Sequence, residues 1–381
     1  MMNQKGTEQD RIKNAAAVSC RYSMHTMSFC VRLTRREAKV VRDKLVAYCE
    51  AEGLRYYEHK NGWADTKELI FPGFLAYGLN SVKVKAISKD TGGIYFLQIK
   101  VNPRMMFHKD THPFVYIADA DDIRKSLDRI QDFLDMTDIN GIPRESFYIQ
   151  RIDYCANIRL GSRQEVEEYM RLVRKGLCPH LTTRKEEYSK TQGRWIPTRN
   201  SFTVYCGSYE FTVYDKWSQM MGEKDRYKAE DIAEAEGIVR VELRVKRNKV
   251  RYEKKRTDCE SEIEYLMKTA EISERLLDKH LRECFGTGCF VKASKAEELI
   301  RESSYKDKTK ERMCRIVRDT AKSGLEKASL RYEKKHKDFY NMMCRFNALG
   351  ISPITIKQRS EIECLEHPIE YIKNQNANLP E

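Results

Sequence analysis

The sequence predicts an α+β protein, in which a mainly antiparallel sheet with flanking helices is followed by a helical C-terminal domain. Before about Asn248, alternating apolar and polar runs typical of half-buried strands are interspersed with two segments of helical spacing. Beyond that residue the apolar spacing is helical throughout. A chain of 381 residues is long enough for two domains. We therefore assign 18–247 to the α+β domain and 248–381 to the helical one.

Each element of the α+β domain has its own signal. Thr34 and Glu37 form a capping box, which predicts a helix from this point to about Ala51. A second helix is predicted at 121–136, where apolar residues recur on one face. The predicted strands lie at 27–33, 94–101, 147–158, 202–216 (folded as a hairpin) and 239–245. The first third of the chain therefore reads β-α-β-β-α.

The remaining segments follow from their polarity and capping residues. We expect a polar, disordered N-terminus at 1–17 and an exposed basic loop at 184–200. Ser294 and Glu297 form another capping-box pattern. A long helix is predicted at 325–348, with Gly350 as its C-terminal cap and a short extended segment after it.

Charge indicates a polyanionic partner. Lys and Arg number 70 against 57 Asp and Glu, a formal net charge of +13. Basic side chains set against phosphates release condensed counterions, so DNA is the partner that this excess favours. Nine basic residues between Arg240 and Arg256 point the same way. The alternative is that the charge serves only solubility.

The cysteines and the hydropathy indicate a cytoplasmic protein that does not interact with a membrane. The twelve cysteines include no C-x-x-C pair, and we expect them to be reduced and buried. The N-terminus lacks the apolar run of a signal peptide, and no stretch has the length of apolar residues that spans a membrane.

Two predicted strands carry charged residues on one face. Side chains alternate along a strand, so 147–158 places Arg151, Asp153, Cys155 and Asn157 on one side and apolar residues on the other. Residues 239–246 repeat the scheme, with Arg240, Glu242, Arg244 and Lys246 on the polar side. If both strands belong to one sheet, Asp153 and Glu242 approach each other and offer a site for Mg²⁺ or Mn²⁺. The alternative is a half-solvated sheet with cross-strand salt bridges, and alternation alone favours it.

The hairpin at 202–216 adds candidate nucleophiles. Tyr205 and Tyr214 carry phenols and Lys216 an ammonium group. A tyrosine beside a metal could attack a DNA phosphate, and its phosphotyrosyl ester would conserve the phosphodiester energy for rejoining. Against this, the chain has 21 tyrosines, and strands favour tyrosine for packing.

Four motifs occur in order within 147–246. They are Arg151-Ile152-Asp153, Thr203-x-Tyr205-x-Gly207-Ser208, Tyr214-Asp215-Lys216 and Arg240-x-Glu242-x-Arg244. In order and spacing they resemble the replication initiation factors of Gram-positive plasmids and the gene II-type initiators of filamentous phages. The ending Leu349-Gly350-Ile351-Ser352-Pro353 also resembles the tail of such proteins.

The resemblance implies a rolling-circle replication initiator, a cytoplasmic endonuclease with a nickase-like α+β domain. Such an enzyme binds a plasmid or phage origin, nicks one strand and holds the 5′ end on a tyrosine. By position, Tyr205 would be the nucleophile, with Tyr214 as its rival, and Lys216 would neutralise the scissile phosphate. Asp153 and Glu242 would bind the metal, Mg²⁺ or Mn²⁺.

The remaining assignments complete the expected site. Asn157 stands where the plasmid pattern has a second acid, so its carbonyl would be the third metal ligand. No His-x-His pair occurs, so the metal site of the wider His-hydrophobic-His nickases is absent. The residues expected at phosphates are Arg151, Arg240, Arg244, Lys246 and Arg247. The resemblance also suggests a host helicase and a homodimer as partners, and the helical domain could hold a helix-turn-helix reader of the origin.

Two other functions remain open at this point. A non-catalytic DNA-binding regulator of replication or transfer would keep the fold without the chemistry. A relaxase-like protein would serve conjugation instead of replication.

Overall fold

The computed structural model describes residues 22–60, 67–87, 94–102, 106, 119–139, 141–189, 191, 194–198, 200–331 and 336–377. Its strands are β1 Ser23–Leu33, β2 Tyr57–Lys60, β3 Lys67–Phe71, β4 Leu79–Ile87, β5 Ile94–Val101, β6 Tyr148–Arg159, β7 Thr183–Arg184, β8 Glu186–Ser189, β9 Arg194–Pro197, β10 Ser201–Tyr205, β11 Tyr209–Asp215, β12 Ile238–Lys246, β13 Phe290–Val291 and β14 Cys364–Leu365.

The helices begin between the first two strands and dominate the C-terminal part. They are α1 Arg35–Ala51, α2 Ala120–Met136, α3 Arg163–Val173, α4 Lys216–Met221, α5 Ala229–Glu234, α6 Arg247–Arg256, α7 Glu262–Met267, α8 Thr269–Phe285, α9 Ala293–Glu302, α10 Asp307–Ser323, α11 Leu325–Leu330, α12 His336–Ala348 and α13 Pro368–Ala377. The protein is therefore α+β, with a large antiparallel sheet and a helical C-terminal part, as the sequence predicts.

The chain divides into two compact units, and each is built from separate stretches. Unit 1 contains residues up to Cys155 together with Arg244–Ser273, and unit 2 contains Ala156–Leu243 and Glu274–Glu381. The strands β6 and β12 each contribute to both units. The sequence-based division at 247/248 follows the change from strand to helix and stays a prediction for independent domains.

Unit 1 is a sheet packed against helices. Its strands follow the order β2-β3-β4-β5-β1, and the first part of β6 pairs with β1 through Ser23 and Cys155. Val41 and Leu45 of α1 are buried, as are alternate residues of β5, so the helix and the strand contribute to one core. The Thr34 hydroxyl accepts a hydrogen bond from Glu37 N, which confirms the predicted capping box.

In unit 2, the β10–β11 hairpin packs against a helix. β10 pairs with β11 on one side and with β7 on the other. Phe202 of β10 packs 5.2 Å from Phe285 of α8, measured between ring centroids. Farther along the chain, α9, α10 and α12 share a second apolar cluster that includes Ile300, Val317 and Phe346.

Several predicted elements are confirmed. The helix at 121–136, the hairpin and the strands at 94–101, 147–158 and 239–245 appear within one or two residues of their expected bounds. Gly350 has φ 69°, and its backbone lets Ile351 N donate to Phe346 O at the end of α12.

Three predictions about elements are wrong. The segment 184–200 is not a plain loop, because β8 and β9 pair within it. Ser294 lies inside α9, whose cap residue is Lys292, so it is not a helix cap. The long helix at 325–348 is two helices, α11 and α12. The segment 1–17, for which disorder is predicted, lies outside the described residues.

The cysteine expectation holds in part. The cysteines that the structure describes are free, and six of them are buried. Cys344 and Cys364 are exposed, in contrast to the expected burial.

Candidate active site

The two faces of the β10–β11 hairpin differ in chemistry. Phe202 and Val204 of β10, with Phe211 and Val213 of β11, are fully buried. The residues that alternate with them share the other face, because side chains switch sides at each step. There Thr203 lies opposite Thr212, and its hydroxyl donates to Thr212 Oγ1 at 3.2 Å. The polar face therefore carries the candidate tyrosines.

Tyr205 lies at the open end of this face. It is opposite Glu210 of β11 on one side and opposite Thr183 of β7 on the other. Residues directly opposite each other have Cβ atoms about 5 Å apart, so these three side chains form a short row. Tyr205 is 41% exposed, and the turn after it leaves open space around Gly207. The Tyr205 side chain is therefore accessible to solvent.

Tyr214 belongs to a different group, the polar cluster of Asn157, Tyr214, Arg240 and Glu242. Its hydroxyl donates to Glu242 Oε2 at 3.2 Å and lies 3.5 Å from Arg240 Nη1. Arg240 Nε in turn donates to Asn157 Oδ1 at 3.0 Å. Asn157 and Arg240 are buried, so the cluster fixes an arginine under the Tyr214 phenol.

Tyr205 and Tyr214 lie at different positions along the hairpin. Tyr214 is opposite Ser201, whereas Tyr205 is four residues farther along β10. That separation corresponds to about 13 Å along the strand. The register therefore separates the two tyrosines along the strand, and their expected action near one phosphate stays a prediction.

Lys216 is the first residue of α4 and not the end of a strand, because β11 stops at Asp215. Alternation therefore does not place it on the face of Tyr214. Its ammonium group donates to Gln219 Oε1 at 2.7 Å and lies 5.7 Å from the centre of the Tyr227 ring. Its expected contact with the scissile phosphate stays a prediction.

In unit 1, Asp153 is the centre of an ion-pair cluster with Arg151 and Arg244. Its Oδ1 accepts from Arg151 Nε at 2.7 Å and from Arg244 Nε at 3.4 Å, and its Oδ2 accepts from Arg151 Nη2. Burial alone would raise the pKa of this carboxyl group. The hydrogen bond from Arg151 and the positive charges of His25, Arg151 and Arg244 outweigh burial and lower the pKa below its usual value. This arrangement is the salt-bridge alternative of the sequence analysis.

Arg247 and Lys246 follow the last strand of the sheet. Arg247 opens α6, and its Nη1 donates to Ile149 O at 3.1 Å and to Glu262 Oε1 at 2.7 Å. Its guanidinium carbon lies 4.5 Å from the centre of the Tyr148 ring. Lys246 ends β12 and is the N-cap residue of α6. Arg247 thus links β6 to α7 within unit 1. Phosphate binding by Lys246 or Arg247 stays a prediction.

The oxygen atoms expected to bind a metal accept hydrogen bonds from side chains in this structure, and metal binding by them stays a prediction. Arginines hold both oxygens of Asp153, and Arg240 and Tyr214 donate to Asn157 and Glu242. Within the described parts of the chain, no group of three or more His, Cys, Asp or Glu residues could hold a metal ion. A cation bound at these oxygens would compete with donors already in place.

The sequence analysis missed two features of unit 2. Glu210 faces Tyr205, and the register of a hairpin was needed to find it. Arg163 of α3 binds the buried Asp215, with Nη1 2.9 Å from Oδ1, beside a cavity of about 660 Å³. The pair lowers the Asp215 pKa, although burial alone would raise it. Among the described residues, no helix is both long and apolar enough to cross a bilayer.

Comparisons with known proteins do not show a family for this chain. No known protein family and no curated protein matches this sequence. A search of solved structures finds a match to the Rolling Circle Replication Initiator Protein from Geobacillus stearothermophilus, with a TM-score of 0.30 and 12% sequence identity. The match covers 77% of this chain and 91% of that chain. At this TM-score the likeness carries no argument about the present protein.

Proposed function

We propose that the protein initiates rolling-circle replication of a plasmid or phage by nicking and rejoining one strand of DNA at its origin. The observation that carries the proposal is the row of Thr183, Tyr205 and Glu210 at the open end of the hairpin. It presents an accessible phenol at the position that the sequence resemblance assigns to the nucleophile. The basic charge of the chain supports DNA as the substrate.

In the proposed reaction the Tyr205 hydroxyl attacks the scissile phosphorus. A bond forms between the phenolic oxygen and phosphorus, the bond to the 3′ oxygen breaks, and the departing strand takes up a proton as a 3′-hydroxyl. Glu210 lies directly opposite and would accept the phenolic proton as the attack proceeds. Rejoining is the reverse step, because the phosphotyrosyl ester conserves the energy of the broken bond.

The polar cluster would hold the strand and not attack it. Arg240 is fixed by Asn157 and supplies positive charge next to the Tyr214 hydroxyl. Because Arg240 is itself buried, we propose that it acts on a bound strand through the Tyr214 hydroxyl and not by direct contact with a phosphate. Arg151, Arg244, Lys246, Arg247 and Lys216 are proposed to contribute more weakly, since structural contacts occupy most of them.

Mg²⁺ or Mn²⁺ is proposed as the cofactor only on the ground of the sequence resemblance. Because arginine and tyrosine donors hold the oxygens of Asp153, Asn157 and Glu242, we expect weak binding of the ion. Dialysed protein should retain less than one ion per chain, and activation should need a large excess of free ion. A tightly held stoichiometric ion, measured by elemental analysis, would contradict this expectation.

One observation favours a second function, that of a non-catalytic DNA-binding regulator. Asp153 is engaged on both oxygens in a buried ion pair, which is a structural role. A regulator would bind the origin and leave it intact. A host helicase, a homodimer and a role in conjugation are further predictions of the sequence resemblance.

One assay separates the two functions. The protein is incubated with supercoiled DNA that carries the origin next to its own gene, in Mg²⁺ and in Mn²⁺. Nicked circles with protein attached after denaturation support the proposed enzyme. Retarded but intact supercoiled DNA supports the regulator, and no binding in either ion contradicts both.

A further inference from the structure

A strained turn lies next to the candidate nucleophile. Residues 179–182 form a turn in which Thr182 N and its hydroxyl both donate to Pro179 O, at 3.1 and 2.6 Å. Leu181, the third residue of this turn, has φ 64°. Glycine or asparagine normally occupies such a position, because a branched side chain clashes with the backbone there. Residues with strained backbones cluster at functional sites.

The side chain of Leu181 points into solvent. It is 84% exposed, the highest value among the large apolar side chains that the structure describes. The same residue thus combines a strained backbone with an apolar group that the protein does not bury. Neither feature helps the fold, which indicates a partner outside the chain.

The position of Leu181 identifies that partner. It lies two residues before Thr183, and Thr183 is opposite Tyr205. Two residue steps span at most about 7 Å and paired Cα atoms lie about 5 Å apart, so the Cα atoms of Leu181 and Tyr205 are at most about 12 Å apart. The exposed residues around it, His180, Thr183 and Lys185, are basic or carry a hydroxyl group, which suits DNA phosphates on either side of an apolar group.

We propose that Leu181 is a wedge that enters between two bases of the DNA and unpairs the strand that Tyr205 attacks. Apolar side chains inserted at a base step unstack it and kink the duplex. The strained turn holds the leucine outward, ahead of the phenol, so that the scissile phosphate is reached in an opened strand. The inference rests on the proposed nicking function and adds the residue that opens the duplex.

The first test compares two forms of the same substrate. Leu181→Ala removes the apolar branch, and Leu181→Gly also relieves the strained φ. On supercoiled origin DNA, both variants should nick at least about tenfold more slowly. A tenfold slowing corresponds to only a small part of the free energy needed to unstack a base step. On a single-stranded oligonucleotide of the nicked sequence they should match wild type. Leu181→Met should restore nicking of the duplex.

The matched control is Leu330→Ala, which removes another exposed leucine, 53% exposed on α11. It should nick both substrates at the wild-type rate. Equal nicking of supercoiled DNA by Leu181→Ala and wild type overturns the wedge. Equal loss by Leu181→Ala on both substrates also overturns it, because opening the duplex would then not be the step affected.

The second test does not require cleavage, so it separates failure of the wedge from failure of the nicking function. The probe is a DNA hairpin with 2-aminopurine at the first base pair of its stem, whose fluorescence rises on unstacking. Wild type should raise the signal, and Leu181→Ala should bind the hairpin without raising it. Binding by wild type without a rise, or no binding at all, overturns the wedge whether or not the protein nicks DNA.

Discussion

A carboxylate next to the candidate nucleophile gives the first expectation for single residues. Glu210 faces Tyr205 across the hairpin, where it can take the phenolic proton. Glu210→Gln keeps the size and polarity of the side chain but cannot accept a proton as a carboxylate does. Loss of a general base typically slows a reaction by 10²-fold or more, and we expect about that loss in single-turnover nicking.

A matched control makes this expectation specific. Glu186→Gln, a change at an exposed residue of β8, serves as the control. If Glu210→Gln nicks at the wild-type rate at neutral pH, Glu210 is not the base.

Asp153 gives the second residue-level expectation, which concerns stability. Asp153→Asn would leave Arg151 and Arg244 without their buried counter-ion, so the free energy of unfolding should fall by about 3 kcal/mol. Because the pKa of Asp153 is lowered on folding, this stabilisation is present above the ordinary value of 3.8 and is lost as pH falls through the folded pKa. Urea unfolding at pH 7 and pH 3 checks both points. A wild-type–variant difference as large in acid as at neutral pH would contradict the ion-pair role.

At the residue scale, the sequence identified types of side chain better than their partners. Alternation correctly put Arg240 and Glu242 on one face of a strand. It could not show that Arg240 and Glu242 contact Tyr214, because a hydrogen bond between strands depends on a register that the sequence does not contain. Lys216 was misplaced for a related reason, since the strand ends one residue earlier.

Helix capping provides the expectation at the scale of single elements. Thr34 caps α1 through Glu37 N, whereas Ser294, which matches the same sequence pattern, caps nothing. Thr34→Ala should therefore lower the free energy of unfolding by about 1 kcal/mol, because a backbone N–H of the first turn loses its acceptor. Ser294→Ala should leave stability unchanged or slightly raised, since alanine is the better helix former. Urea unfolding of both variants tests the pair, and equal losses would contradict the caps seen here.

The two capping patterns also show where prediction of elements succeeds. Thr34 lies between a clear strand and a clear helical period, so only one helix start was possible. Before Ser294, the strand β13 and a β-bridge between Lys292 and Ile356 fix the backbone up to Lys292. The helix α9 therefore begins at Ala293, one residue before the serine of the capping pattern. Tertiary pairing of this kind is not encoded in a local motif. The same holds for β8 and β9, which form within a segment that looks polar throughout.

Charge governs the behaviour of the molecule as a whole. A net charge of +13 should make DNA binding depend steeply on salt. If about six phosphates are contacted, affinity should fall about 10³-fold between about 50 and 200 mM salt. Fluorescence anisotropy with a labelled duplex measures this slope. An affinity that hardly changes over the range would remove DNA as the partner.

The division into two units is the feature of the whole molecule that the sequence least foresaw. The change from strand to helix at 247/248 is visible in the apolar spacing and is real. The boundary between the units nevertheless lies elsewhere, because β6 and β12 are each divided between the two units. Local periodicity identifies elements along the chain and carries no information on which distant elements share a core.

The most direct test of the central claim is to locate the tyrosine that carries DNA. Wild-type protein is incubated with supercoiled origin DNA and metal ion, the DNA is trimmed with nuclease, and the tryptic peptides are examined by mass spectrometry. We predict a nucleotide on the peptide that contains Tyr205, and no adduct with Tyr205→Phe, while Tyr214→Phe still forms one. A nucleotide on Tyr214, or normal nicking by Tyr205→Phe, would contradict the account.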